Sequence, residues 1–270
     1  MRRLVAFAAM AAIAGTSAGC GISQQQEVQL GADQAQQVNA QLPIIQDYAV
    51  NRYLNALGDS LARVTSRADL EWHFYIVNTN EFNAFALPGG YVYVNRGVAE
   101  RSDRMDQFAS VIAHEIGHVV LRHSVKQIEQ MQGANLGAGV LCALTSVCNS
   151  GLGQAGIQVA GSAIFAKFSR EDEAQADAAG VDELVRAGIN PNGMPEMFQK
   201  LLAERQSQPG VLDSWFADHP LEESRIKDTE NQIAKINPAI IRTLTSDSRA
   251  FQDFKARVHS LPAPPAARAR

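Results

Sequence analysis

The pentad His114-Glu115-Ile116-Gly117-His118 lies inside an otherwise apolar stretch that runs from Phe108 to Ile128. Val111, Ile112, Ile116, Val119 and Val120 surround it and predict a helix buried against a core. Residues four apart share one face of a helix, so the imidazoles of His114 and His118 converge on one point. Burying two histidines and a glutamate together is costly unless something pairs with them. A zinc ion does so. Neutral imidazole suits it, and a catalytic site typically takes three protein ligands and leaves one position for water. Glu115 stands beside the pair, placed to take a proton from that water. The alternative is a helix with two hydrogen-bonded core histidines, and the cost of burial argues against it.

The third ligand decides the subclass. A metzincin needs Gly at position 121 and His at 124, and this chain has Leu121 and Ser124. His123 is nine residues from His114, half a turn out of phase, and is expected to point away as a polar or outer residue. The run Phe168 to Gly180, "FSREDEAQADAAG", offers carboxylates instead. Glu173 and Asp177 are again four apart; one can ligate while the other holds the second nitrogen of a ligating imidazole. Glu171 and Asp172 read as a solvated helix face, and spacing alone does not choose Glu173 over its neighbours.

The first twenty of the 270 residues read as an export signal: Arg2 and Arg3, an apolar run from Leu4 to Ala14, then Ser17-Ala18-Gly19-Cys20. The last four resemble a bacterial lipobox, which makes residues 1–20 a lipoprotein signal peptide and Cys20 the lipidated residue. Gly21 rather than Asp points to an outer-membrane anchor facing the periplasm. Residues 21–30 are Gln-rich and read as a tether, 31–260 as the folded domain and 261–270 as a disordered tail. Within the domain, 133–167 reads as a Gly/Ala-rich loop or hairpin. It holds Cys142 and Cys148, an even pair in an exported chain, expected to form a disulfide.

Helical spacing appears over 31–66, about 103–129, about 170–186, and near 195–206, 221–236 and 247–259. Leu70 to Asn78 and Tyr91 to Asn95 read as strands, separated by a turn-rich loop that ends at Pro88-Gly89-Gly90. The fold class is therefore mainly α (α+β). The net charge of −4, with no basic block, excludes a nucleic-acid partner.

Four ordered motifs carry a family resemblance: "NAFALPGGYVYV", "HEIGH", "SREDEAQAD" and "DHPLEESRI". Over roughly residues 30–260 they resemble the HtpX-like and CAAX-prenyl-protease-like zinc metallopeptidases, metallopeptidase family forty-eight, of the gluzincin type, and within it the periplasmic lipoprotein branch. The resemblance implies one zinc held by His114, His118 and Glu173, with Glu115 as general base and Asp177 orienting a ligand. It implies a helical core and a small sheet whose edge strand, within Asn83–Val94, binds substrate backbone; Asn83, Ala84, Pro88, Gly89 and Gly90 belong to it. It also puts His219 and Arg225 beside the metal, His219 either stabilising the transition state or closing the site. The activity implied is endoproteolysis of misfolded or unassembled envelope proteins. The partners implied are protein or peptide substrates, the outer membrane through the lipid, and outer-membrane protein assembly machinery. A zinc-containing periplasmic chaperone or assembly factor is the competing reading, and an intact Glu115 weighs against it.

Overall fold

The structure, a computed structural model, describes residues 21–133, 168–207, 212–221 and 223–264. The signal segment with Cys20, the segment with Cys142 and Cys148, and residues 265–270 lie outside the described residues. The fold is mainly helical with one three-stranded sheet, as the α+β reading expects. No helix among the described residues is long and apolar enough to cross a membrane.

The stretch read as a tether is instead the start of a helix, α1 (Gln24–Gln41). Ser23 and Gln26 form a capping box, satisfying two backbone N–H groups that would otherwise be left open. Glu27 and Leu30 of that stretch are buried. A second helix, α2 (Tyr48–Ala62), is capped by Asp47; of the apolar residues at helical spacing, Val50, Leu54, Leu57 and Leu61 are buried and Tyr53 is half-buried.

Three strands follow: β1 (His73–Val77), β2 (Ala84–Leu87) and β3 (Tyr91–Asn95), in the order β1-β3-β2. β1 runs parallel to β3, and β2 antiparallel to it through a tight connection at Pro88-Gly89-Gly90. The loop expected between two strands thus contains the third, which lies at one edge of the sheet.

A short helix, α3 (Arg96–Arg101), leads into α4 (Met105–Val120), whose residues from Met105 to Val119 are all buried. One helix was expected over 103–129, but two are present: α4 stops at Leu121, and α5 (His123–Gly133) starts in a new direction. Arg122 between them has φ 59°, a left-handed conformation that no Gly or Pro announces in the sequence.

The next helix, α6 (Arg170–Arg186), is capped by Ser169 with Asp172 and ends at Gly188, whose φ of 78° suits glycine. It lies directly on α4. A Cβ placed on Gly117 would sit 2.8 Å from the carbonyl oxygen of Ala176, so the two backbones touch where only glycine fits. Gly117 lies between His114 and His118, and Ala176 between Glu173 and Asp177, so this contact faces the two pairs toward each other. The remaining helices, α7 (Gly193–Ser207), α8 (Asp213–Asp218), α9 (Glu223–Ile233), α10 (Pro238–Ile241) and α11 (Arg249–Ser260), close the core around α4 and α6.

Candidate metal centre

Four buried side chains from three parts of the chain meet at one point: His114 and His118 from α4, Glu173 from α6, and His219 just after α8. One donor atom from each lies within 4.8 Å of all the others. His118 Nε2 is 3.0 Å from His114 Nε2, and His114 Nε2 is 3.2 Å from His219 Nδ1. Glu173 Oε1 is 3.1 Å from His219 Nδ1 and 3.4 Å from His118 Nε2. Donors held at about 2.0–2.1 Å around a tetrahedral zinc lie about 3.3 Å apart. The observed separations bracket that figure, so the four side chains fit a small divalent ion.

The second nitrogens of the histidines are held from behind. Asp177 Oδ1 lies 2.9 Å from His114 Nδ1. Asp177 itself accepts from Arg225, 2.7 Å from Nε to Oδ2 and 2.7 Å from Nη2 to Oδ1. Arg225 reaches over from α9 and also donates through Nη1 to Glu173 Oε2 at 2.5 Å. Burial pushes the Asp177 carboxyl up, but the Arg225 charge and the hydrogen bonds from His114 and Arg225 outweigh it and leave it lowered. Arg225 Nη1 also donates to Pro220 O at 3.0 Å, in the loop after His219. Trp215 stacks on the His219 ring with centroids 4.4 Å apart, and Phe168 stacks on His118 at 3.9 Å.

Charge in the cluster is divided sharply. Burial raises Glu173, yet the His219 and His114 charges and the hydrogen bonds from His118 and His219 hold it well below the usual carboxylate range. Burial pushes His118 well down, toward neutral imidazole. Burial also disfavours the charged form of His219, but the Glu173 and Glu115 carboxylates outweigh it and raise it to about 9. An anionic carboxylate and a neutral imidazole are the forms that ligate a divalent cation.

Glu115 is fully buried, and neither carboxylate oxygen has a hydrogen-bond partner among the described residues. Burial outweighs the opposing His219 and His114 charges and raises its pKa. Its Oε1 is 3.5 Å from His219 Nε2, on the rim of the cluster. A buried carboxylate without a hydrogen-bond partner is costly, and a water beside a bound ion is a group that would satisfy it.

Of the acids in the downstream run, Glu173 alone joins the cluster. Glu171 is exposed and accepts from Gln175, and Asp172 caps α6. Of the edge residues, Asn83 reaches the segment that carries His219, its Nδ2 3.5 Å from Asp218 Oδ2, with Ala84 next to it on β2. Pro88, Gly89 and Gly90 are elsewhere. A Cβ on Gly31 of α1 would lie 1.8 Å from Pro88 O, and Gly89 packs against Val28. His123 is not among the four donors; it is an outer residue that stands behind one of them and faces the site. The break at Arg122 turns it back, so that its Nδ1 lies 2.9 Å from His118 Nδ1 and its Nε2 3.2 Å from Gln175 Oε1. An unbroken helix would have carried it about 140° round from His118. Only a sign of the break could have exposed this, and Leu121-Arg122 carries none.

A helix-borne His-Glu-x-x-His pair, closed by a buried glutamate from a second helix, defines a metalloendopeptidase. Peptidase family M48 matches residues 49–233, and the chain belongs to that family. It is 34% identical over 252 residues to the beta-barrel assembly-enhancing protease of Escherichia coli (strain K12), covering 90% of this chain and 50% of that one. It is 28% identical over 196 residues to the metalloprotease LoiP of the same organism, covering 71% of this chain and 73% of that one. The mitochondrial metalloendopeptidase OMA1 of Schizosaccharomyces pombe is 28% identical over 195 residues, 72% of this chain and 56% of that one. The chain spans about half the length of the beta-barrel assembly-enhancing proteases it matches.

Proposed function

We propose that the protein is a zinc-dependent endopeptidase that cleaves misfolded or unassembled envelope proteins. The observation that carries the reading is Glu115, a buried carboxylate with both oxygens open at the rim of a His/His/Glu cluster. A structural metal site needs no such group, which argues against the chaperone alternative. His114, His118 and Glu173 would hold the ion, with Asp177 and Arg225 setting the His114 ring and the Glu173 carboxylate. Bound there, Zn2+ supplies Lewis acidity that acidifies a water and polarises a carbonyl. Glu115 takes the water's proton and later hands it to the departing amine; its burial-raised basicity suits both transfers. A substrate strand adds to the sheet at the Asn83–Ala84 end of β2, where the edge meets the Asp218–His219 loop. Such pairing reads backbone and tolerates varied side chains, as quality control requires.

His219 lies where a fourth ligand would lie, its Nδ1 among the donor atoms. With an ion bound by the other three side chains, His219 would close the site in place of water. His219→Ala is expected to raise peptide turnover several-fold while zinc stays bound. Steady-state cleavage of a fluorogenic peptide, with metal analysis, decides it, and a fall in turnover would return His219 to a role in stabilising the transition state.

The relatives' names, the export signal and the Cys20 lipobox support a periplasmic protein anchored to the outer membrane, with a link to assembly of outer-membrane proteins. Cys142 and Cys148 are proposed to form a disulfide. Thiol labelling of unreduced, denatured protein from the periplasm should then find neither free. Casein digestion with and without a chelator tests the function as a whole: chelator-sensitive digestion is expected, and purified zinc-loaded protein that leaves casein intact favours the chaperone reading.

A further inference from the structure

We propose that Glu27 of α1 positions the metal-binding ring of His118, by locking the Arg122 turn that carries His123 onto it. The proposal rests on the reading of the cluster as a metal centre. His118 presents Nε2 to the cluster, so its proton sits on Nδ1 and is donated to His123 Nδ1, 2.9 Å away. His123 then carries its own proton on Nε2 and donates it to Gln175 Oε1 at 3.2 Å. This chain fixes the tautomer and tilt of His118, as Asp177 does for His114.

His123 reaches His118 only because α4 stops at Leu121 and Arg122 adopts φ 59°, the one positive φ of a non-glycine among the described residues. That conformation is unfavourable for a residue with a Cβ and persists where surroundings enforce it. The enforcing group is Glu27, which is fully buried. Its Oε2 accepts from Arg122 Nε at 2.8 Å. Arg122 Nη2 also donates to the carbonyl of Ile22, just ahead of α1. Glu27 Oε1 accepts from Arg67 Nη1 at 2.6 Å, and the same nitrogen donates to Val119 O at 3.0 Å, on the last turn of α4. One carboxylate therefore grips the end of the metal-bearing helix twice, once at the Arg122 turn and once through Arg67. Glu27 acts through other residues and is a positioning residue.

The test is zinc affinity of the purified full chain, measured by competition with a chromophoric chelator, with the visible band of the Co2+ form as a second readout. Glu27→Gln, Arg122→Ala and His123→Phe are each expected to weaken zinc binding by about 10- to 100-fold and to shift the Co2+ band. Arg122→Ala keeps the Cβ penalty at φ 59° and removes the guanidinium that Glu27 holds, so it serves where Glu27→Gln fails to fold. Val258→Ala, a core truncation in α11, should lower the Tm and leave zinc affinity unchanged, as a merely structural change would. Glu27→Gln and Arg122→Ala with wild-type affinity and Co2+ band would overturn the proposal alone. A folded wild-type chain that binds no ion would overturn the metal-centre reading and the proposal together.

Discussion

Glu115→Gln is expected to keep its metal and lose cleavage. The amide matches the carboxylate in size, so no cavity opens in a helix whose neighbours are all buried. No donor atom of the His114, His118, Glu173 and His219 cluster is removed, so ion binding is retained. What disappears is a group able to take and return a proton, a contribution of roughly 10^2- to 10^4-fold to such reactions. Metal analysis of the purified variant beside a peptide-cleavage assay settles it. Near-zero metal in a folded variant would make Glu115 a ligand, and retained turnover would remove it from the chemistry.

Glu173→Ala is expected to abolish metal binding, whereas Glu171→Ala retains about one ion per chain. Glu173 is the cluster's only carboxylate, and its removal leaves three imidazoles and the Arg225 guanidinium facing one another without that anion. Losing one partner of a buried ion pair costs about 3–5 kcal/mol, here softened because Arg225 keeps both bonds to Asp177. Stability should therefore fall as well, and thermal unfolding in excess metal separates the two effects. Wild-type metal should raise the Tm by mass action, and the Glu173→Ala Tm should not respond. Glu171 is exposed and pairs only with Gln175 among the contacts described, so its loss touches neither. Full metal content in both variants would place the third ligand elsewhere.

The sequence alone determined the parts that periodicity and local chemistry control. His114 and His118 are four apart on a helix, which suffices to bring their rings together, and the apolar residues around them suffice to bury that helix. The bounds of α6 follow from Ser169 at one end and Gly188 at the other, because a hydroxyl cap and a left-handed glycine act on the backbone within a few residues. The stripe of α2 was legible for the same reason.

Tertiary structure decided what depends on contacts between distant segments. Residues 21–30 look like a polar linker because their buried members, Glu27 above all, are charged or lie among glutamines. Their partners Arg67 and Arg122 are 40 and 95 residues away. The choice of Glu173 over Glu171 and Asp172 came from the close approach of α4 and α6 at Gly117 and Ala176, which local spacing does not encode. His219 and Arg225 joined the site through the packing of α8 and α9, not through any pattern near His114. The break at Arg122, which turns His123 inward, is written in no helix-stopping residue. It exists because an ion pair with a buried carboxylate holds a backbone conformation that Arg122 would not adopt unaided.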